Sequence, residues 1–79
     1  MEQEQERTDR MTDTKVLGKV VSWNPKGYGF IRTTENHDYF FHIQDVIDID
    51  ESDMAIGVEV VFLLGSNAKG VKAIEIQRR

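Results

Sequence analysis

The chain has no cysteine and a single proline in its 79 residues. Without cysteine there is no disulfide and no thiolate metal site. A domain this small buries only roughly 60% of its unfolded surface, so its stability must come from apolar packing. Long hydrophobic runs are also missing: none approaches the ~20 residues that span a bilayer. The N-terminus, with Glu2, Glu4, Glu6 and Arg7, is too charged for the apolar part of a secretory signal. These absences predict one soluble, cytoplasmic domain. An excess of positive charge is lacking too, since the formal net charge is −4. The negative charge is local, however. Residues 1–14 hold five carboxylates against two arginines, residues 45–53 hold five carboxylates and no cation, and the rest of the chain is net positive. A polyanionic partner is therefore not excluded, although its binding should be weak and salt-sensitive.

Residues 1–14 contain almost nothing apolar and cannot offset their ordering entropy, so a disordered acidic tail is expected there. From Lys15 onward the pattern changes to short apolar or alternating runs separated by turn signals, which predicts strands. The expected strands are Val16–Trp23, Tyr28–Thr33, Asp38–Ile43, Val58–Leu64 and Val71–Gln77. Asn24-Pro25-Lys26-Gly27 reads as a turn, with proline presetting φ. Thr34–His37 and Gly65–Gly70 read as two more turns. Gln44–Ile56 is a long acidic connection that opens with one helical turn at Gln44–Ile47. Five short strands in a domain spanning 15–79 predict an all-β fold. The best fit is a five-stranded antiparallel Greek-key barrel of the oligonucleotide-binding (OB) type, in which closure removes exposed strand edges.

The chemistry concentrates in Lys26-Gly27-Tyr28-Gly29-Phe30-Ile31 and Asp38-Tyr39-Phe40-Phe41-His42. Side chains alternate across a strand, so Tyr28, Phe30 and Arg32 share one face and Phe40 and His42 share the corresponding face of the next strand. Val20, Ile31, Tyr39, Phe41 and Ile43 suit the barrel interior. The other set mixes rings with Lys19, Arg32 and Asp38 and should face outward, with Trp23 extending it from the first strand. Glycines at 27 and 29 would let a ligand approach the backbone between the rings. Exposed aromatics beside cations suit the bases and phosphates of a single nucleic-acid strand, each stacked base contributing about 1–3 kcal/mol. Trp23, Tyr28, Phe30, Phe40 and His42 are the expected stacking residues, and His42 could also bond a base edge. Lys19 and Lys26 are the expected phosphate contacts, with Lys69 as a cation at the rim. The competing reading is a protein-interaction module, with an outward aromatic cluster and an acidic tail and loop that recruit a basic partner.

These two runs resemble the paired ribonucleoprotein motifs of the cold-shock domain family, the first at Lys26–Ile31 and the second, aromatic-x-His, at Phe40-Phe41-His42. Gly18-Lys19-Val20, Trp23 and Asn24 resemble the first strand and turn of that family. The likeness covers about residues 15–77. It implies an OB barrel that binds single-stranded RNA or DNA and acts as an RNA chaperone, melting weak hairpins without ATP. By motif position it makes Tyr28, Phe30, Phe40 and His42 base-stacking residues, with Lys26 at the backbone. The chain departs from the family at Val21-Ser22-Trp23-Asn24, where Lys-Trp-Phe-Asn is usual. Ser22 takes the tryptophan position, Trp23 the phenylalanine position, and Val21 that of a frequent lysine. Ile43 replaces an aromatic after the second motif. These changes imply fewer stacking subsites and lower affinity than in a typical member.

Other constellations are poor. Asp48, Asp50, Ser52 and Glu59 have a calcium-loop spacing, but Asp53 stands where the loop needs glycine. His37 and His42 make a weak metal pair, and no nucleophile has a base beside it. The expectation is a monomer without catalytic residues, metal or cofactor, with no small-molecule substrate and no membrane partner.

Overall fold

The structure, a computed structural model, describes residues 9–79. It contains β1 (Asp9–Arg10), β2 (Val16–Asn24), β3 (Tyr28–Thr33), β4 (Asp38–His42), β5 (Glu59–Asn67) and β6 (Gly70–Arg78). The pairings between these strands are all antiparallel. Five long strands and very little helix make this an all-β, OB-type fold, as the sequence predicts. β5 is the hub. One edge pairs with β2 through Val16↔Phe62 to Lys19↔Glu59 and with β1 through Asp9↔Ser66 and Arg10↔Gly65; the other pairs with β6. Across the remaining seam, the segment after β4 reaches β6 by a parallel bridge, Val46↔Ile76. There the Ile47 N–H donates to the Ile76 carbonyl at 2.7 Å. Among the described residues, no helix is long and apolar enough to cross a membrane.

Val20, Ile31, Phe41, Val60, Phe62, Ala73 and Ile76 are fully enclosed and form the centre of the core. Tyr39 and Ile43, also expected inside, are half-buried against it. Two irregularities let the strands wrap. The β5–β6 register shifts between Val61 and Leu63, and Glu75 on β6 adopts φ 50°. Consecutive residues therefore face inward, Phe62 with Leu63 and Ala73 with Ile74.

Several boundaries differ from expectation. Of the tail expected to be disordered, residues 1–8 lie outside the described residues, whereas Asp9 and Arg10 form β1. Two residues carry no periodicity of their own; the unsatisfied edge of β5 orders them. Leu64 confirms that docking from both sides, since its carbonyl accepts from Met11 N–H and its N–H donates to the Thr12 hydroxyl. The turn expected at Gly65–Gly70 is tighter, because Gly65 and Ser66 belong to β5 and Asn67 pairs directly with Gly70. The helical turn expected at Gln44–Ile47 is a 3-10 turn at Ile43–Asp45. The acidic connection is not wholly solvated: Ile49 and Met54 insert from it into the core while the carboxylates on either side stay outside.

Candidate nucleic-acid interface

β3 and β4 pair in the register Tyr28↔His42, Phe30↔Phe40 and Arg32↔Asp38. Directly opposed residues lie on the same face of a sheet, so these three pairs form successive rungs on the outer surface, while Ile31 and Phe41 fill the inner one. Phe40 is the hub of the rings. Its centroid lies 6.1 Å from Tyr28 in a stacked arrangement and 5.9 Å from Phe30 edge to face. Phe30 and Phe40 are 40% and 38% exposed, large values for rings that the core could have absorbed.

One end of this surface, the Tyr28–His42 rung, is fixed from both strands. Pro25 and Gly27, at φ 109°, shape the turn before β3. Asn24 ties that turn to the rings: its Oδ1 accepts from the Lys26 N–H at 2.9 Å and its Nδ2 donates to the Tyr28 hydroxyl at 3.1 Å. The sequence offered a signal for this second role only in the placement of asparagine before proline. Opposite Tyr28 on that same rung, His42 caps the 3-10 turn, its Nδ1 accepting from the Gln44 N–H at 3.1 Å. With Nδ1 accepting, the ring proton sits on Nε2, which becomes a donor.

Trp23 does not belong to this surface. The β2–β3 register shifts between Val20 and Ser22, so Val20 opposes Ile31, Ser22 opposes Phe30 and Trp23 opposes Gly29. The extra residue reverses the phase of the strand. Exposed Ser22 takes the outer position beside Phe30, and half-buried Trp23 turns toward the core, stacked on Phe41 at 5.8 Å and 15°. Gly29 has a different purpose from the one expected. It is buried, and a Cβ there would lie 2.2 Å from the Ser22 carbonyl oxygen and 3.0 Å from the Phe41 ring. Its missing side chain lets β2 and Phe41 approach, not a ligand.

The cations surround the rings. Lys26 is exposed in the turn before β3, and Lys19 is exposed on β2, in register with Arg32. Lys69 is exposed at the β5–β6 turn. It lines a 520 Å³ groove together with Phe40, His42, Gln44, Val71 and Lys72. Lys72 is paired with Asp45 at 3.0 Å. Arg32 is engaged bidentately by Asp38, Nε to Oδ1 at 2.7 Å and Nη2 to Oδ2 at 3.1 Å. The hydrogen bond and charge of Arg32 hold the Asp38 carboxyl below its ordinary value, and Asp38 raises the guanidinium in return.

Comparison with known proteins agrees with this geometry. Residues 16–79 match the "cold-shock" DNA-binding domain family. The retron Se72 cold shock-like protein of Salmonella heidelberg (strain 579083-10) is 41% identical over 54 residues, which cover 67% of this chain and 81% of that protein. An OB-type sheet with this match over nearly all its described length shows that the chain belongs to the cold-shock domain family, a family of nucleic-acid-binding domains.

Proposed function

We propose that the chain binds a short single strand of RNA or DNA by stacking bases on Tyr28, Phe30 and Phe40, and that it acts as an RNA chaperone of low sequence specificity. The observation that carries this is the placement of Tyr28 and Phe30 on consecutive rungs of an exposed face, each in ring contact with Phe40. Every base has a π-face, so such rungs give affinity without reading sequence. His42 stacks at the end of the row and offers its Nε2 proton to a base carbonyl. Lys26, Lys19 and Lys69 meet phosphates, the last from across the groove beside His42. Trp23 contributes from beneath, by holding Phe41 and the β2–β3 pair in place. The rungs are complete within one chain, so the binding unit is a monomer. With Ser22 in the outer position opposite Phe30, the row is shorter than one bearing a ring there, and affinity is correspondingly modest.

The direct test is fluorescence anisotropy of a labelled heptanucleotide, as matched RNA and DNA. Binding at low salt that weakens steadily with added salt is expected. A flat trace up to high micromolar protein at low salt would refute the reading and favour a protein partner. Chaperone action is tested separately, by opening of a weak fluorophore–quencher RNA hairpin without ATP.

A further inference from the structure

Beyond Phe30 and Phe40, the outer face carries a row of charges that base stacking does not use. Glu59 on β5, Lys19 on β2, Arg32 on β3 and Asp38 on β4 lie in register across four neighbouring strands. The two central members are both cations. Like charges directly opposed on antiparallel strands destabilise a sheet, and the flanking carboxylates relieve this only partly. Glu59 is paired with Arg79 at 3.2 Å, and both line the groove beside Lys19. Asp38 occupies the Nε and Nη2 donors of Arg32 and leaves its Nη1 side, on a side chain 50% exposed. A 450 Å³ groove opens at this pair, with the apolar side chains of Leu17 and Val21 in its lining. That volume lies within the ~300–1,000 Å³ range of small-molecule sites.

We propose that Lys19 and Arg32 jointly hold one phosphate of the bound single strand, with the attached sugar and base against Leu17 and Val21. This subsite rests on the stacking reading above and extends it, because Arg32 is two residues, ~7 Å along the strand, from Phe30. An anion between the two cations removes their mutual repulsion. Asp38 has a double effect: it fixes the guanidinium, and it weakens the field that the phosphate meets. The path of the strand therefore runs along the rungs from Tyr28 toward Arg32 and ends in the groove beside β2.

Anisotropy titrations of labelled heptathymidine across a salt series test this. A single strand contributes about 0.7 to the slope of log K against log salt for each phosphate neutralised. Lys19→Gln should make the slope shallower by about that amount. Arg32→Gln in an Asp38→Asn background, which leaves no carboxylate unpaired, should do the same. Combining all three changes should lose no more than either alone, because one phosphate is shared. Asp38→Asn by itself should tighten binding. The control is Phe30→Ala, which should lose affinity and keep the wild-type slope. If the triple variant keeps wild-type slope and affinity while Phe30→Ala weakens binding, the subsite is wrong and the stacking surface stands. If the wild-type protein binds no oligonucleotide, both fall. If inorganic phosphate alone shifts the Lys19 and Arg32 amide resonances, yet these substitutions leave oligonucleotide binding intact, the site is one for free anions and the assignment to the strand is overturned.

Discussion

Removing the Phe40 ring should separate binding from folding. Phe40 is 38% exposed, and its ring contacts are those with Tyr28 and Phe30. Ring pairs contribute about 0.5–1.5 kcal/mol each. Phe40→Ala should therefore cost folding roughly 1–3 kcal/mol, less than the ~3–5 kcal/mol of a fully buried phenylalanine. A chain of this length holds roughly 4–12 kcal/mol of net stability, so the variant stays folded. Binding suffers more in proportion. One stacked base is lost at about 1–3 kcal/mol, and Tyr28 and Phe30 lose the ring that orients them, which places the effect in the upper half of that range. Affinity for a heptanucleotide should fall roughly 30- to 150-fold. Trp23→Phe is the counterpart. It keeps a ring on Phe41 from the inner side, so affinity should stay within about threefold while the urea midpoint drops. Anisotropy gives the first quantity and far-ultraviolet circular dichroism in urea the second. Tryptophan emission is the wrong probe of stacking, because Trp23 lies against Phe41. A folded Phe40→Ala protein with wild-type affinity, or a Trp23→Phe protein as impaired as Phe40→Ala, would refute the placement of the binding face.

The difference between those two residues shows where the sequence was legible. β3 and β4 run without interruption, so strict alternation in the sequence puts Tyr28, Phe30, Phe40 and His42 on one face, where the register also puts them. β2 does not. Val20-Val21-Ser22-Trp23 presents apolar residues at both phases, and the register shift between Val20 and Ser22 leaves no mark in a period-two pattern. The signal that existed was indirect: a large ring on β2 and a side-chain-free position, Gly29, at the matching point of β3. The family departure at Ser22 and Trp23 has the same physical content. The ring was not shifted along the outer face; it is on the other side of the strand. The acidic connection misled through its average charge, since Ile49 and Met54 act singly and no periodicity links them. β1 was hidden for another reason. Its order comes from the edge of β5, a partner more than fifty residues away that local composition cannot reveal.

Two further substitutions probe the framework of the site. Asp38 has its pKa lowered by Arg32, so its contribution to stability is present above the unfolded carboxyl value of about 4 and is lost as pH falls through the depressed folded value. Asp38→Asn should therefore flatten the acid side of the Tm-against-pH curve below about pH 4; curves of equal steepness would show that the ion pair does not couple to folding. Gly29→Ala tests whether the glycine serves packing or access. The added Cβ would sit 2.2 Å from the Ser22 carbonyl oxygen and 3.1 Å from its carbon, and backbone atoms cannot swing aside as a side-chain tip can. β2 and β3 must separate locally, at the upper end of the ~1–3 kcal/mol typical of overpacking. Trp23, directly opposite on β2, should then report the change as altered emission in the free protein. The loss of binding would follow from the displaced Phe30 and be the smaller effect. A variant with wild-type stability and emission but impaired oligonucleotide binding would mean that the ligand itself needs the space at Gly29, and would restore the access role that the buried geometry argues against.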